Sequence, residues 1–359
     1  MSLLRELDWV VATAVSFLVL LSLAALYPFS ILNENSFFWR QVGFFFVGLF
    51  FLFALAFVNI SFLKKHRVAI FVLYLLGIFL LALLLFVGRD IRGAASWLPF
   101  ISRWIQFQPS EIVKIILIFI LARYFTFQHI HLYKPFHVIV SGTYAAIPAA
   151  LTLLQPDLGS AAVIFFLWLG IVIISGLGWR HFIIIILLIV IGAGLMWTYG
   201  LEPYQKTRVL AFLNPEADPL GANYSRNQSL IAIGVGGIWG KGFGANLHSL
   251  DGFLPEAHTD FMFSMIVEAT GLSGAFIIFF LYGIIIWRLM SFEGKSNFDR
   301  LFASSLGLLI LIQSSLNIAI ALGMLPVTGL TLPFLSYGGS SLISLFIGLG
   351  IYQALYVRS

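Results

Sequence analysis

The chain has 359 residues and a net charge of +5; 60% of its residues are hydrophobic and only 10% are charged. This composition, with a mean hydropathy of +1.02, excludes a soluble globular protein and predicts an all-α, polytopic membrane protein. Basic residues lie in loops between apolar runs, a pattern that orients a membrane protein, so we expect membrane lipids and no nucleic acid as partners. The lack of cysteine excludes disulfides and cysteine-ligated metals.

Apolar runs long enough to cross a membrane recur along the whole chain. The first, residues 9–27, is too long for the core of a signal peptide, so we expect it to be retained as a span. The later runs are 42–58, 68–87, 112–125, 138–154, 160–174, 182–199, 261–287, 301–322 and 342–356. They predict one integral membrane domain over residues 1–359 with about ten transmembrane helices. The fourth run is short unless it starts at Ser110, and that start brings Glu111 and Lys114 into the membrane.

An even number of spans places both ends of the chain on the same side of the membrane. Eleven basic residues fall on that side and four in the short loops of the other side. The eleven are Arg5, Lys64, Lys65, Arg67, Arg123, Lys134, Arg180, Arg288, Lys295, Arg300 and Arg358; the four are Arg40, Arg89, Arg92 and Arg103. Because short loops rich in Lys and Arg stay in the cytoplasm, we predict that both termini are cytoplasmic.

Residues 200–259 form a large extracytoplasmic loop between the seventh and eighth spans on this topology. Such a segment is too long to be structureless in a compact protein. Its middle, residues 229–244, is apolar and has glycine at positions 234, 236, 237, 240, 242 and 244. This pattern predicts a re-entrant or interfacial helix followed by a turn, which either packs against other helices or contacts a ligand. The string GVGGIWGKG lacks the spacing of a phosphate-binding P-loop.

Two polar groups stand at the predicted outer ends of spans. Glu111 and Lys114 are three residues apart, so they share one helix face. Either they form an internal ion pair, or Lys114 meets an anionic substrate while Glu111 orients it, and the two interpretations are compatible. In the connection between the fifth and sixth spans, Asp157 either caps the next helix or helps to bind a metal ion or a sugar hydroxyl.

The densest group of titratable residues lies in the stretch 253–271, FLPEAHTDFMFSMIVEATG. At the mouth of the eighth span and inside it stand Glu256, His258, Asp260 and Glu268. A charge at mid-bilayer costs about 2.5–3.5 kcal/mol, so we expect such groups to be used in a water-filled cavity. Thr259 or Asp260 would suit the N-cap of this span, but capping needs only one of the several groups present. Asp260 is therefore the candidate for the reacting carboxylate.

The last informative stretch runs from Asn317 into residues 323–341, GMLPVTGLTLPFLSYGGSS. Its prolines, glycines and hydroxyl groups predict an irregular outer loop rather than a smooth helix. Its serines have no Asp–His pair nearby in the sequence, which argues against a serine nucleophile. No histidines and glutamates have the spacing of a zinc site either.

Five sequence blocks resemble the signature blocks of the SEDS family. They occur in the family's order across nearly the whole chain, and together they are highly specific. The blocks are QPSEIVK (108–114), QPDLG (155–159), QSLIAIGVGGIWGKGFG (228–244), FLPEAHTDFMF (253–263) and GMLPVTGLTLPFLSYGGSS (323–341). The short N-terminus and the FLPEAHTDF wording are more similar to the elongation branch of the family than to its division branch.

The resemblance implies a peptidoglycan glycosyltransferase that polymerises lipid II on the outer face of the bacterial cytoplasmic membrane during cell elongation. It also implies a partner, a class B penicillin-binding protein that cross-links the strands within an elongation complex. The family's essential carboxylate falls on Asp260, and its polar pair falls on Glu111 and Lys114. In this interpretation Asp260 is the general base that takes the proton of the attacking sugar hydroxyl.

Further residues are expected to bind the substrate. Positive charge is needed where the pyrophosphate leaves, and Lys114 is the first choice, with Arg208, Arg226 or Lys241 as weaker candidates. No cofactor is certain from the sequence, although the acidic side chains are compatible with a divalent cation. The predicted substrate-binding residues are Glu111, Lys114, Asp157, His258, Glu268, Lys241 and Ser336.

Three positions depart from the usual family pattern. Ser96 stands where many members have an arginine, Ala269 where many have a second glutamate, and Thr331 where a proline is usual. An arginine contact at position 96 and a pair of carboxylates at 268–269 are therefore not expected. The departures leave Asp260 unaffected.

Two alternatives from other classes stay open. A lipid II flippase would line a headgroup path with polar groups and make no bond, whereas a scaffold would mainly hold and activate a transpeptidase. Glu111, Lys114 and Glu268 are compatible with a flippase, because their polarity extends into the membrane. Asp157, His258, Asp260 and the loop 323–341 all lie on the outer side in the predicted topology, which favours outer-face chemistry.

Overall fold

The computed structural model describes residues 6–32, 36–60, 66–87, 89–91, 94–97, 107–128, 135–176, 191–192, 194, 196–200, 206, 210, 212, 223–244, 247–250 and 252–358. The helices in these ranges are α1 (Trp9–Leu32), α2 (Phe37–Phe57), α3 (Arg67–Val87), α4 (Pro109–Gln128), α5 (Pro135–Leu154), α6 (Leu158–Ile174), α7 (Tyr224–Gly236), α8 (Met262–Met290), α9 (Asn297–Ala321) and α10 (Gly339–Tyr356). A short antiparallel hairpin pairs β1 (Arg89–Ile91) with β2 (Ala94–Trp97), and residues Met196–Gly200 form a π-helical turn.

The predicted helical, polytopic fold is confirmed. Seven helices of the described part are long and apolar enough to cross a membrane, namely α1, α2, α3, α5, α8, α9 and α10. Helix α6 has 17 residues, and α4 starts at Pro109, so Glu111 and Lys114 lie within α4 as the longer form of the fourth span predicted. The hairpin was not predicted. The predicted seventh span, 182–199, lies mostly outside the described residues.

Helices α2 and α10 pack together at close range through glycines. A Cβ built on Gly48 would be 2.4 Å from Cδ2 of Phe346, so this ring lies directly on the α2 backbone. In the other direction, a Cβ on Gly350 would be 2.8 Å from the carbonyl oxygen of Phe51. Apolar side chains gain little free energy when they move from lipid into a contact between helices. The close approach of α2 and α10, and the dispersion contacts that it allows, therefore hold the two helices together.

The two ends of the chain meet at one end of the helix bundle. Asp8 is buried just before α1, and its Oδ2 accepts hydrogen bonds from Tyr352 Oη (2.8 Å) and Arg288 Nε (3.1 Å). The side chain of Gln353 pairs with the N–H and the carbonyl of Asp8. Asp8 therefore joins the start of α1 to the ends of α8 and α10.

Helix α8 is interrupted at Gly271, whose backbone is not helical (φ 69°, ψ −166°). A break here separates the carbonyls of residues 268 and 269 from the N–H groups of residues 272 and 273, which would be their partners in a continuous helix. The segment after α7 supplies replacements. Lys241 N and Gly242 N donate to the two carbonyls, and the two N–H groups donate to the carbonyls of residues 237 and 238. All four groups are thus satisfied within the protein.

Glycine is required on both sides of this contact, because the two backbones touch. A Cβ on Gly240 would be 2.2 Å from the carbonyl oxygen of Ala269, and a Cβ on Gly271 would be 2.3 Å from that of Ile238. Gly240 and Gly271 also have positive φ angles, 78° and 69°. The glycine-rich segment therefore packs against α8, while its depth in the membrane stays a prediction.

We expect the substitution Gly240→Ala to lower the free energy of unfolding by about 2–4 kcal/mol, because the new methyl group meets backbone and left-handed φ is costly for alanine. The control is Gly234→Ala in α7, where nothing lies within 4 Å of the added Cβ. That change should be neutral or should stabilise by about 0.5–1 kcal/mol. Thermal unfolding of the detergent-solubilised protein measures both, and equal stability of the two variants would contradict the packing described above.

Candidate active site

The loop of residues 323–338, between α9 and α10, is held from four helices through its carbonyl groups. Irregular backbone buried in a membrane protein needs such partners, because it cannot satisfy its own polar groups. The bonds run from Ser22 Oγ to Leu335 O, from Gln41 Nε2 to Ser336 O, from Tyr282 Oη to Pro333 O and from Asn317 Nδ2 to Leu330 O. All four donor side chains are buried. They come from α1, α2, α8 and α9, so the loop has a defined position relative to the bundle.

Donors from this loop and from α9 bind the three successive carbonyl groups of residues His258, Thr259 and Asp260. The His258 carbonyl accepts from Tyr337 N at 2.9 Å, and the Thr259 carbonyl accepts from Ser336 Oγ. The Asp260 carbonyl accepts from Asn317 Nδ2 at 3.0 Å. We call these three bonds the carbonyl clamp. The clamp determines the path of the main chain that carries the candidate carboxylate.

Backbone strain accompanies the carbonyl clamp on both sides. Glu256 has a φ of 55° and Phe334 a φ of 65°, and neither is a glycine. Each such residue costs about 1–3 kcal/mol and persists only where surrounding structure enforces it. The strain therefore indicates that the relative placement of these two segments is maintained against a local energetic preference.

Asp260 is 6% exposed and lies just outside α8. The helix begins at Met262 and its N-cap position falls on Phe261, so neither Thr259 nor Asp260 occupies the N-cap. The Thr259 hydroxyl instead donates to Glu256, at its carbonyl and at Oε2, both at 3.2 Å. The position of the N-cap is therefore decided by the turn that Glu256 starts.

The His258 ring lies within an aromatic cluster that reaches α1 and α2. Its centroid is 5.2 Å from that of Phe29 and 4.4 Å from that of Phe37, and both pairs are stacked. Tyr337 packs on the same ring, and Glu256 Oε2 is 3.9 Å from His258 Nε2. Packing against these aromatic rings therefore determines the position of the His258 side chain.

Arg40, counted in the sequence only as a loop charge, also belongs to this cluster. Its guanidinium hydrogen-bonds to the side chain of Tyr337. Burial raises the pKa of the Tyr337 hydroxyl, and the positive charge of Arg40 opposes that rise. A cation therefore stands beside the carbonyl clamp, and its only signal in the sequence was an arginine just before the second apolar run.

Glu111 and Lys114 form a buried ion pair with an Nζ–Oε1 distance of 2.8 Å. Lys114 is fully buried and Glu111 is 5% exposed. Next to them, Asp157 Oδ1 accepts from Ser160 N at 2.9 Å and so caps α6. Gln108 Nε2 donates to the other oxygen of Asp157 at 3.2 Å.

The electrostatic surroundings of Asp157 tie these groups together. Burial raises the pKa of the Asp157 carboxyl, and the hydrogen bonds from Ser160 and the charge of Lys114 oppose this rise. This cluster also touches the 323–338 loop, since a Cβ on Gly159 would be 2.8 Å from Leu330 Cγ. The blocks that resemble family signatures therefore meet at one end of the bundle, opposite Asp8.

Two predicted substrate-binding residues have backbone groups as partners. Glu268 is fully buried, and its carboxylate oxygens accept from His248 N (2.5 Å) and Ser249 N (3.0 Å). Ser336 accepts from Leu332 N at 2.8 Å, besides its part in the carbonyl clamp. Each therefore holds a loop, and their contact with substrate stays a prediction.

Of the three basic residues that were weaker candidates, Lys241 and Arg226 lie within the described residues. The Lys241 side chain is exposed and its main chain belongs to the contact with the break in α8. The guanidinium of Arg226 stacks on Phe212 at 5.6 Å. Arg208 lies outside the described residues. Within the ranges that the structure describes, no three His, Asp or Glu side chains are grouped closely enough to hold a metal ion.

Comparisons with known proteins agree with this arrangement. The FtsW, RodA and SpoVE family model, described as "Cell cycle protein", matches residues 4–358. A relative from Thiomicrospira cyclica, named "Probable peptidoglycan glycosyltransferase FtsW", is 39% identical over 77% of this chain and 72% of its own. A relative from Escherichia coli, named "Peptidoglycan glycosyltransferase MrdB", is 36% identical over 80% of this chain and 77% of its own.

Solved structures show the same fold. One, reported as "Structural coordination of polymerization and crosslinking by a peptidoglycan synthase complex", superposes with a TM-score of 0.79 at 32% identity, covering 98% of this chain and 97% of that one. The Rod shape determining protein RodA of Thermus thermophilus superposes with a TM-score of 0.70 at 30% identity, covering 98% and 96%.

The ion pair in α4 can be tested by a double-mutant cycle. We expect Lys114→Met to destabilise the protein by about 3–5 kcal/mol, because it leaves the buried Glu111 charge without its partner. Adding Glu111→Gln should restore most of that loss, since neither member of the pair then carries a charge. Thermal unfolding measures the cycle. Wild-type stability of the single Lys114→Met variant would show that the pair has no structural role.

Proposed function

Because this chain belongs to the FtsW, RodA and SpoVE family of cell cycle proteins, we propose that Asp260 is the general base with which it polymerises lipid II. It is a peptidoglycan glycosyltransferase and an integral protein of the bacterial inner membrane. The observation that carries the role of Asp260 is the carbonyl clamp, which positions this buried carboxylate at the end of the bundle where the family blocks meet.

The reaction joins two lipid-linked sugars. A hydroxyl of one disaccharide attacks the anomeric carbon of the other glycan, and the bond from that carbon to undecaprenyl pyrophosphate breaks. Asp260 accepts the proton of the hydroxyl, a role typically worth about 10²–10⁴-fold in rate. Pre-positioning of the carboxylate matters because the base must lie within hydrogen-bond reach of that proton.

Negative charge develops on the leaving pyrophosphate and requires nearby cations. Lys114 on α4 is the proposed contact for the pyrophosphate. Its ion pair with Glu111 keeps the ammonium group oriented, so the pair serves both the structure and the substrate. Arg40, beside Tyr337, is a second cation at the same end of the bundle. Asp157 and His258 complete the proposed surroundings of the sugar.

The relatives support the proposed partner, and the loop charges support the proposed orientation in the membrane. The similar solved structure is a complex that coordinates polymerization with crosslinking, which supports a class B penicillin-binding protein as partner of this chain. The similar relatives include proteins named FtsW and a protein named MrdB. The proposed role in elongation rather than division therefore rests on the FLPEAHTDF motif. The start of α1 and the end of α10 lie together at Asp8, and the loop charges support a cytoplasmic position for that end of the bundle.

A flippase is the second candidate function, and the buried polarity of Glu111 and Lys114 is what favours it. Glu268 supports it less than its position in the sequence suggested, since its carboxylate holds residues 248 and 249. Transbilayer movement of lipid II without polymer would establish the flippase.

We expect Asp260→Asn and Asp260→Ala to lower kcat for glycan polymer by about 10²–10⁴-fold, because the proton acceptor is lost. Purified protein with labelled lipid II, in the presence and absence of the partner, measures this. The matched control is Asp299→Asn, since Asp299 is also about as buried, at 5%, but belongs to the capping box of α9 at the other end of the bundle. Undiminished polymer from folded Asp260 variants would end the assignment.

The topology can be checked by labelling, because the chain has no cysteine of its own. Phe253→Cys and Lys295→Cys each place one thiol at an exposed position, at opposite ends of the bundle. We expect a membrane-impermeant maleimide to label intact spheroplasts at position 253 and not at 295, and to label both after lysis. The reverse pattern would place the termini outside.

A further inference from the structure

One side-chain amide bridges the two segments that face each other at the candidate site. Asn317 is fully buried on α9, and its Nδ2 donates to Asp260 O at 3.0 Å and to Leu330 O at 2.6 Å. Both acceptors are carbonyls, so only the amide nitrogen can face them, which determines the amide orientation. Because the two hydrogens of one NH₂ group point in fixed directions, the amide sets the separation of the two main chains.

The residue before Leu330 leaves a space beside the candidate base. Gly329 has a φ of 76°, and a Cβ built on it would be 3.9 Å from Asp260 Oδ2. No other described atom outside its chain neighbours lies within 4 Å of that Cβ position. The face of Gly329 that is turned toward Asp260 is therefore open, and any side chain at this position would enter the space.

We propose that the gap between Gly329 and the Asp260 carboxylate receives the attacking sugar hydroxyl, and that Asn317 sets the width of this gap. The proposal rests on the proposed function, since it assigns a place to one reactant of the polymerisation. The hydroxyl gives its proton to Asp260 while its oxygen bonds to the anomeric carbon. The electron pair of the broken bond leaves with the pyrophosphate.

Asn317 is a positioning residue, because it acts through the main chain of Asp260 and does not touch the reacting atoms. The other two donors of the carbonyl clamp, Ser336 and Tyr337, belong to the irregular loop itself. Of the three donors, only Asn317 lies on a regular helix. It therefore holds the main chains of Asp260 and Leu330, on the two sides of the gap, at defined positions relative to α9. A shift of about 1 Å in such a site can cost about 10²-fold in rate.

The first test compares Asn317→Leu with Gln353→Leu in the purified full-length chain with lipid II. Gln353 is an equally buried amide with two bonds to main chain, but at the other end of the bundle. We expect Asn317→Leu to lower kcat by about 10²-fold with KM changed less than about threefold, since positioning and not binding is lost. Gln353→Leu should lower thermal stability and leave kcat within about twofold. Equal kcat for Asn317→Leu and wild type overturns the proposal.

The second test does not depend on the folding of the Asn317 variant. Gly329→Ala places a methyl group in the gap, while Gly252→Ala repeats the positive φ, 80°, with nothing within 4 Å of the Cβ. We expect Gly329→Ala to lower kcat/KM by about tenfold or more and Gly252→Ala to have no effect on it. Undiminished polymer from Asp260→Asn would refute the proposed role of Asp260 as the general base, and the gap proposal with it. An inactive Asp260→Asn together with a fully active Gly329→Ala would refute only the gap.

Discussion

Backbone polar groups that are buried in a membrane protein must find partners inside the protein, and the site of this chain depends on that constraint. The loop of residues 323–338 is not helical, so its carbonyls lack the partners that a helix provides. Single polar residues in otherwise apolar helices, such as Gln41 of α2 and Tyr282 of α8, donate to them. Asn317 donates to the loop and to Asp260 together. The amide that provides a partner for a loop carbonyl therefore also positions the main chain of Asp260.

The break in α8 obeys the same constraint in another way. Gly271 interrupts the helix, and the segment around Gly240 replaces the lost bonds with main-chain groups of its own. Direct contact of two backbones explains the glycines, which the sequence alone left open between packing and ligand binding. Glu268 lies at this junction and accepts from residues 248 and 249, so the segment between α7 and α8 is tied to the core by a carboxylate and by main chain.

Buried charge is distributed between the two ends of the bundle for different purposes. At the end that holds both termini, Asp8 and Arg288 join three helices. At the other end, Glu111 and Lys114 neutralise each other within α4 and lie near Asp157. A buried pair adds little net stability, because desolvation offsets the attraction. We therefore interpret the second pair as retained for its chemistry toward an anionic leaving group.

Local sequence determined the features that depend on neighbouring residues. Apolar run length predicted the spans, and residue type made Asp157 a candidate cap, because helix length and capping are decided within a few positions. The candidate carboxylate also came from the sequence, through its cost in the membrane and the family blocks. Tertiary structure alone decided the N-cap of α8, the partners of Glu268 and the carbonyl clamp. The clamp bond between Thr259 and Ser336 joins residues 77 positions apart, and the bond from Ser22 that holds the same loop joins residues 313 positions apart. No local periodicity carries such information.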